Sequence, residues 1–371
     1  MRIIFAGGGT AGHINPALAI AGYIKEHVPD AQILYVGAVG GMEERLVKQA
    51  GFEFKGIHIS GFSRKLNING IKKNVGTLKK LITSSIESKN IINEFKPDIC
   101  VGTGGYVSGP ILRKAAKMGI PIIIHEQNAF PGVTTKMLAH RAKWVMLAVP
   151  QAKKFFDDKC NVVVTGNPIR KEIITASKKE AREKLKLDNR PVILSFGGSL
   201  GARKINESMI SLIVDTCKTD KFQHIHAYGQ YGKWFLPTLL DKGVNVSNHP
   251  NLDIREYIND MPTCLAAADL VICRAGAITL SEIQAQGKAA ILIPSPNVAE
   301  NHQYHNAMAL VNNKAASIIE EKDLTGEELI KKTKEMLSSP EVLKEYQKNA
   351  QEMAIYDANE RIYSIIREII D

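Results

Sequence analysis

The sequence predicts an α/β protein in which one scheme is built twice, each domain a mostly parallel sheet covered by helices on both faces. Three observations predict it. Short apolar runs alternate with longer helix-compatible stretches from residue 1 to about 165, the signature of βα units whose strands are buried on both faces. The same alternation restarts near Pro191. A length of 371 residues also exceeds what a single core commonly organises. The expected divisions are residues 1–165, residues 166–345, and a tail over 346–371.

The first strand is "RIIFAG", followed by the glycine turn "GGTAGH" and a helix expected to start near Asn15-Pro16, because proline suits a first helical position. The strands "QILYVG", "DICVGTG", "PIIIHEQN", "WVMLAV" and "NVVVTGN" complete the first domain. Several end in glycine or a polar residue, at the carboxyl ends where open α/β sheets bind ligands. The charged stretch "KEIITASKKEAREKLKL" is helix-compatible and leads to "PVILSFGGSLGARKINESMISLIVD", a strand, a second glycine turn and a helix. "FQHIHAYG", "LVICRAG", "AAILIPS" and "AASIIE" read as the later strands. The tail "EVLKEYQKNAQEMAIYDANERIYSIIREII" is a helical pattern of mixed polarity, expected to pack back toward the first domain.

Gly7, Gly9 and Gly12 satisfy GxGxxG between a strand and a helix, which points to a dinucleotide. The acid that would bind a ribose at the end of the second strand is missing: that position reads Tyr35-Val36-Gly37. What remains is a turn whose backbone N–H groups and helix dipole suit an oxyanion. His13 is then either a base for a bound hydroxyl or a local cap. In the second turn, Gly197 to Gly201, Ser199 either caps the next helix or meets phosphate. No GxxxxGK[ST] is present. "GTGGYVSGP", with Tyr106, is either another phosphate turn or a tight βα connection. "HEQN" ends a buried strand in polar groups that need hydrogen-bond partners. "CRAGAITLSE" brings Arg274, Gly276, Thr279 and Glu282 to one strand–helix junction, where Glu282 is either a sugar-hydroxyl acceptor or a first-turn acid. Glu300, His302 and His305 lack a convincing further ligand for a metal.

Composition is that of an ordinary globular chain, 44% hydrophobic and 23% charged, with a formal charge of +10. Residues 1–165 hold 22 Lys and Arg against 11 Asp and Glu, whereas the remainder holds 26 against 27. The basic excess lies in the first domain and calls for an anionic partner. From Arg64 to Lys96 there are eight basic and two acidic residues, with Ile71, Val75, Leu78 and Ile82 on one helical face. That is either an interfacial anchor for anionic lipid or an ordinary amphipathic helix. No zinc-finger spacing, aromatic RNP-like run or arginine-rich arm supports nucleic acid. Five cysteines without metal spacing suit a reducing compartment. With no apolar leader and no run of about 18 apolar residues, a cytosolic location is expected.

Taken in order, "GGGTAGHINPALAIA", "GTGGYVSGP", "HEQNAFPG", "GNPIR", "SFGGSLGAR", "CRAGAITLSE" and "HQYHNA" resemble the motifs of the MurG family across nearly the whole chain. The resemblance implies the GT-B glycosyltransferase fold, two Rossmann-like domains with parallel sheets facing across a cleft. It implies an inverting transfer of N-acetylglucosamine from UDP-N-acetylglucosamine to the C4 hydroxyl of undecaprenyl-diphosphate-linked N-acetylmuramoyl-pentapeptide, in peptidoglycan synthesis. By resemblance His13 is the catalytic base, and Gly9, Gly12, His13, Gly104, Gly105 and Tyr106 serve the acceptor. Thr10, Gly12, His13, Asn128, Arg170, Ser199, Ile258, Ile278, Thr279, Glu282 and Gln303 serve the donor, Ile258 through its backbone to uracil and Glu282 through the ribose hydroxyls.

No tightly bound cofactor and no metal site are implied, and metal dependence stays open. A lipid-linked acceptor gives Lys72, Lys73, Val75, Leu78, Lys79, Lys80 and Ile82 a membrane-associating role. The expected place is the cytoplasmic face of the bacterial membrane, with anionic inner-leaflet lipid and cell-wall synthesis proteins as partners and no nucleic acid. Two positions depart from the family pattern. Leu200 replaces the glutamine of GGSQGAR, and His302 stands where some members have another glutamine. The alternatives are another GT-B transferase with a different acceptor, an NAD-dependent oxidoreductase, and a noncatalytic nucleotide-sugar or lipid-binding module.

Overall fold

A computed structural model describes residues 1–59 and 83–371. Lys72, Lys73, Val75, Leu78, Lys79, Lys80 and Ile82 lie outside the described residues. The chain divides into two compact units: unit 1 is Met1–Ile169 with Asp357–Asp371, and unit 2 is Arg170–Tyr356. The boundary thus falls four residues beyond the expected 165. The tail is two helices in different units instead of one segment.

Unit 1 runs β1 (Arg2–Gly7), α1 (Ala11–His27), β2 (Gln32–Ala38), α2 (Met42–Gln49), β3 (Glu53–Ile57), helical residues 83–95 (α3), β4 (Ile99–Gly104), α4 (Gly105–Lys117), β5 (Ile122–Glu126), α5 (Val133–Leu138), β6 (Trp144–Leu147) and β7 (Val162–Val164). Its seven strands are all parallel, in the order β3-β2-β1-β4-β5-β6-β7. Strands 1 and 4 are neighbours, so the winding reverses direction between them, and this switch point is where doubly wound sheets take their ligands. The strand side chains are apolar in both directions because each sheet face is covered. Ile3, Phe5, Val101 and Ile123 pack against α1 on one face, while Ile4, Val36, Cys100 and Ile124 pack with Val107 and Ile111 of α4 on the other.

Unit 2 repeats the plan with α6 (Lys171–Thr175), α7 (Lys178–Lys184), β8 (Val192–Phe196), α8 (Arg203–Cys217), β9 (Gln223–Ala227), α9 (Phe235–Asp241), β10 (Leu252–Arg255), α10 (Met261–Ala267), β11 (Leu270–Cys273), α11 (Ala277–Ala285), β12 (Ala289–Leu292), α12 (His302–Val311), β13 (Ser317–Ile318), α13 (Gly326–Met336) and α14 (Pro340–Glu352). Its strand order, β10-β9-β8-β11-β12-β13, puts the reversal between β8 and β11. The last helix, α15 (Ala358–Ile370), belongs to unit 1. Ile362 and Ile366 are wholly buried in the core that α1 covers, and Asn359 Nδ2 donates to Ile169 O at 3.2 Å. Burying two isoleucines in this way stabilises the helix by about 3–6 kcal/mol before the entropy of ordering it.

Candidate functional site

The four strands that flank the two switch points each hand over to a helix whose N-terminus carries neither an acid in its first turn nor a side-chain cap: α1 after β1, α4 after β4, α8 after β8 and α11 after β11. Ser177, Thr325 and Ser339 do cap their helices, each accepting from the third residue on, while α5, α9, α10 and α12 share the uncapped, acid-free start. Uncapped N–H groups at the positive end of a helix dipole make an oxyanion site. Two such N-termini follow the strands that flank each switch point.

In unit 1 the two glycine turns interlock. A Cβ at Gly105, where φ is +78°, would lie 2.2 Å from Gly8 O, and one at Gly104, where φ is +102°, would lie 2.8 Å from His13 Nδ1. Tyr106 lies over Gly9, whose added Cβ would be 3.1 Å from its ring. Gly9, Gly12, His13, Gly104, Gly105 and Tyr106 are therefore brought together. Helix α1 starts at Ala11 and not near Asn15-Pro16, because Thr10 is extended and its carbonyl accepts from His13 N at 3.1 Å and Ile14 N at 3.3 Å. Gly12 and His13 thereby sit in the first helical turn. His13 Nδ1 lies 3.0 Å from both Thr103 O and Gln127 Oε1.

Sequence reasoning missed the braces of this turn. Tyr35 lies mid-way along β2, which runs on to Ala38 without an acid. Its hydroxyl donates to Gly7 O at 3.0 Å, and burial pushes its ionisation far up. Glu43, fully buried, accepts from Ala38 N at 2.9 Å and Gly9 N at 3.3 Å. A first-turn acid of α2 thus reaches back across 34 residues, a contact that local patterning cannot reveal. Glu126 is a further strut: its carboxylate accepts from Asn128 N and Nδ2, Gly132 N and Thr135 Oγ1. Asn128 is held at the start of that loop.

In unit 2 the turn after β8 does not use Ser199 as a cap. Helix α8 begins at Arg203 with Ala202 before it, and Ser199 is exposed, its carbonyl accepting from Gln230 N at 3.2 Å. Gly201 packs on the loop after β9, where a Cβ would lie 2.2 Å from Tyr228 O. Ile278 and Thr279 occupy the first turn of α11, and Ile258 is buried in the loop after β10.

Glu282, 7% exposed, pairs through Oε1 with Arg170, 2.9 Å from Nη2 and 3.3 Å from Nε. Burial raises the Glu282 carboxyl above its usual range against the opposing pull of that guanidinium. Two expected donor residues thus meet each other within one unit. Arg274 instead spends its donors on Ile293 O, Pro294 O and Glu321, so it serves the scaffold. Glu300 and Asn301 both have positive φ, 51° and 47°. That costs about 1–2 kcal/mol per non-glycine residue, and such strain concentrates at working loops. It introduces α12, where Gln303 Oε1 accepts from Ser295 N at 2.9 Å and leaves the amide nitrogen to donate elsewhere.

Among the described residues, the one trio with metal-ligand chemistry is His140, Asp157 and Cys160, and Glu300, His302 and His305 do not converge. The trio has His140 and Asp157 exposed and Cys160 half-buried, precedes β6 and β7 at the opposite ends of the strands from the glycine turns, and its members contact one another. No helix among the described residues is long and apolar enough to cross a membrane.

Residues 3–147 match the glycosyltransferase family 28 N-terminal domain, and residues 192–362 match the glycosyltransferase family 28 C-terminal domain. The chain is 46% identical over 370 residues, covering 100% of both proteins, to the UDP-N-acetylglucosamine–N-acetylmuramyl-(pentapeptide) pyrophosphoryl-undecaprenol N-acetylglucosamine transferase of Thermoanaerobacter sp. strain X514. The protein of the same name from Acetivibrio thermocellus is 45% identical over 373 residues, covering 100% of this chain and 98% of that one. Among solved structures, MurG of Acinetobacter baumannii is similar with a TM-score of 0.78 and 29% identity over 99% of each chain. The UDP-GlcNAc 2-epimerase of Neisseria meningitidis bound to UDP-GlcNAc, at 14% identity and a TM-score of 0.67, covers 99% of this chain and 100% of that one and shares the fold alone.

Proposed function

The chain belongs to the MurG family of N-acetylglucosaminyltransferases with the GT-B fold, and from that premise we propose how its residues carry the family's reaction. The enzyme transfers N-acetylglucosamine from UDP-N-acetylglucosamine to lipid I, undecaprenyl-diphosphate-linked N-acetylmuramoyl-pentapeptide, and so forms lipid II in peptidoglycan synthesis. The observation that carries this reading is the end-to-end match to relatives of that activity.

Unit 1 takes the acceptor. Its diphosphate meets the uncapped N–H groups at the starts of α1 and α4, where the turns holding Gly9, Gly12, Gly104 and Gly105 lie beside Tyr106. His13 removes the proton of the muramoyl C4 hydroxyl as that oxygen attacks the anomeric carbon of the donor. Because attack and departure occur on opposite faces in one displacement, an α-linked donor gives a β-linked product. Unit 2 takes the donor. Glu282 accepts from the ribose hydroxyls, Ile258 offers its backbone to uracil, and Gln303 reads the sugar. The N-terminus of α11 at Ile278 and Thr279, with Ser199 and Arg170, receives the diphosphate. Thr10 and Asn128 complete the donor contacts from unit 1. Charge growing on UDP is stabilised by oriented N–H groups and the α11 dipole. On binding, Arg170 exchanges Glu282 for phosphate, and Glu282 exchanges Arg170 for hydroxyls. The basic segment before α3 rests on anionic lipid at the cytoplasmic face of the membrane, where the acceptor is displayed.

A GxGxxG spacing is the feature that favours a nicotinamide cofactor, but β2 ends in Gly37-Ala38 with no acid for a ribose. The test is UDP release from UDP-N-acetylglucosamine with and without a soluble lipid I analogue. Release that requires the analogue is expected. Binding of the nucleotide sugar without release in its presence would overturn the reading.

A further inference from the structure

We infer that Gln127 is a positioning residue for the transfer, its amide fixing which nitrogen of His13 carries the proton and which is left to act as base. This deepens the reading of His13 as the base and rests on it. The chemistry of the contacts allows one assignment. Gln127 Nε2 lies 2.9 Å from His125 O, which can only accept, so the amide nitrogen is on that side and Oε1 is the atom facing His13. His13 Nδ1 therefore faces two acceptors, Gln127 Oε1 and Thr103 O, each at 3.0 Å, and must hold the proton. Nε2 keeps the lone pair, and no hydrogen bond among the described residues engages it.

The amide is in turn held from behind. His125 Nε2 donates to Gly166 O at 2.8 Å, and its Nδ1 accepts from Gln127 Nε2 at 3.1 Å. His125 is fully buried and Gln127 is 2% exposed, so water does not offer either a substitute. Burial also holds His125 neutral by lowering its protonation, which keeps its Nδ1 an acceptor. The line from Gly166 O through His125 and Gln127 to His13 has one consistent direction of donation. Thr103 contributes twice, since its Oγ1 donates to His13 O at 2.6 Å while its carbonyl accepts from Nδ1–H. A neutral base whose second nitrogen is fixed in this way needs no tautomer exchange before it accepts a proton.

The test uses the full chain with ¹⁵N-labelled histidine and long-range ¹H–¹⁵N correlation spectra, with the His13 signals assigned by their loss in His13→Asn. In the unsubstituted protein the neutral ring is expected to show a protonated Nδ1 and a bare Nε2. Gln127→Met removes one of two acceptors and should move the tautomer ratio about fivefold toward Nε2–H. Because the ring also loses the contact that orients it, kcat should fall several-fold with the KM for UDP-N-acetylglucosamine unchanged. Gln127→Glu restores an acceptor and should restore the Nδ1–H form, with the acid limb of kcat/KM displaced to higher pH because a carboxylate favours the imidazolium. UDP binding by unit 2 checks that each variant is folded. A His13 spectrum unchanged in Gln127→Met would overturn the inference. A shifted tautomer ratio with an unchanged kcat would uphold the positioning and overturn His13 as the base.

Discussion

Mild acid should destabilise unit 2 through two histidines on β9. His224 and His226 are completely buried, two residues apart on one face of the strand. Each has one satisfied nitrogen: His224 Nε2 pairs with Thr216 Oγ1 at 2.8 Å, and His226 Nδ1 pairs with Ser195 Oγ at 2.8 Å. His224 Nδ1 and His226 Nε2 have no hydrogen-bond partner among the described residues, and the His226 ring stacks on Phe235 with centroids 4.5 Å apart. A second proton would put a charged N–H against apolar groups, and burial accordingly lowers the two to about 4 and about 3. In the unfolded chain both titrate near about 6.5. Below that pH the unfolded state binds more protons, so the contribution is fully present above about 6.5 and is lost as pH falls toward 4 and 3. At pH 5 the loss is about 2 kcal/mol for each and about 4 kcal/mol for the pair, a large share of a domain's stability.

The assay is denaturant unfolding at pH 7.5 and pH 5, followed by the fluorescence of Trp234 in a Trp144→Phe background, so that unit 2 alone reports. Substituting both histidines by Gln should remove most of the pH dependence, and the difference between the two proteins isolates the imidazoles from other titrating groups. Equal pH dependence in both would refute the reasoning.

Three further outcomes follow from the geometry. Gly105→Ala places a Cβ 2.2 Å from Gly8 O at a φ of +78°, and should cost about 2 kcal/mol or more in unit 1 unfolding followed by Trp144. Glu282→Gln should raise the Kd for UDP about tenfold or more by weakening the acceptor for ribose hydroxyls. Its melting temperature should not fall, since the change removes a buried charge whose burial already disfavours it. Combined replacement of Lys72, Lys73, Lys79 and Lys80 by Gln should weaken binding to anionic vesicles in a cosedimentation assay; unchanged binding would remove the membrane role from that stretch.

The central strands were legible because burial on both faces leaves an unmistakable apolar run, as in "RIIFAG" and "LVICRAG". Two of the four edge strands, β3 "EFKGI" and β10 "LDIR", were not. Each is an edge with charged residues interleaved, and four or five such residues do not differ from a loop in composition. The glycine turns were legible as turns, but their interlock was not, because Gly8 and Gly105 are distant in sequence. The start of α1 was misplaced because Pro16 suggested a first position, whereas extended Thr10 sets it. "HEQN" announced hydrogen-bonding work without naming its object. That Glu126 ties its own loop while Gln127 reaches His13 depends on which way each side chain leaves the strand end.

The most direct test of the account is the linkage in the product formed from UDP-N-acetylglucosamine and a lipid I analogue, read by NMR. A β-linked N-acetylglucosamine on the muramoyl C4 oxygen is the predicted result. An α linkage, attachment at another hydroxyl, or release of free sugar in place of a disaccharide would contradict it.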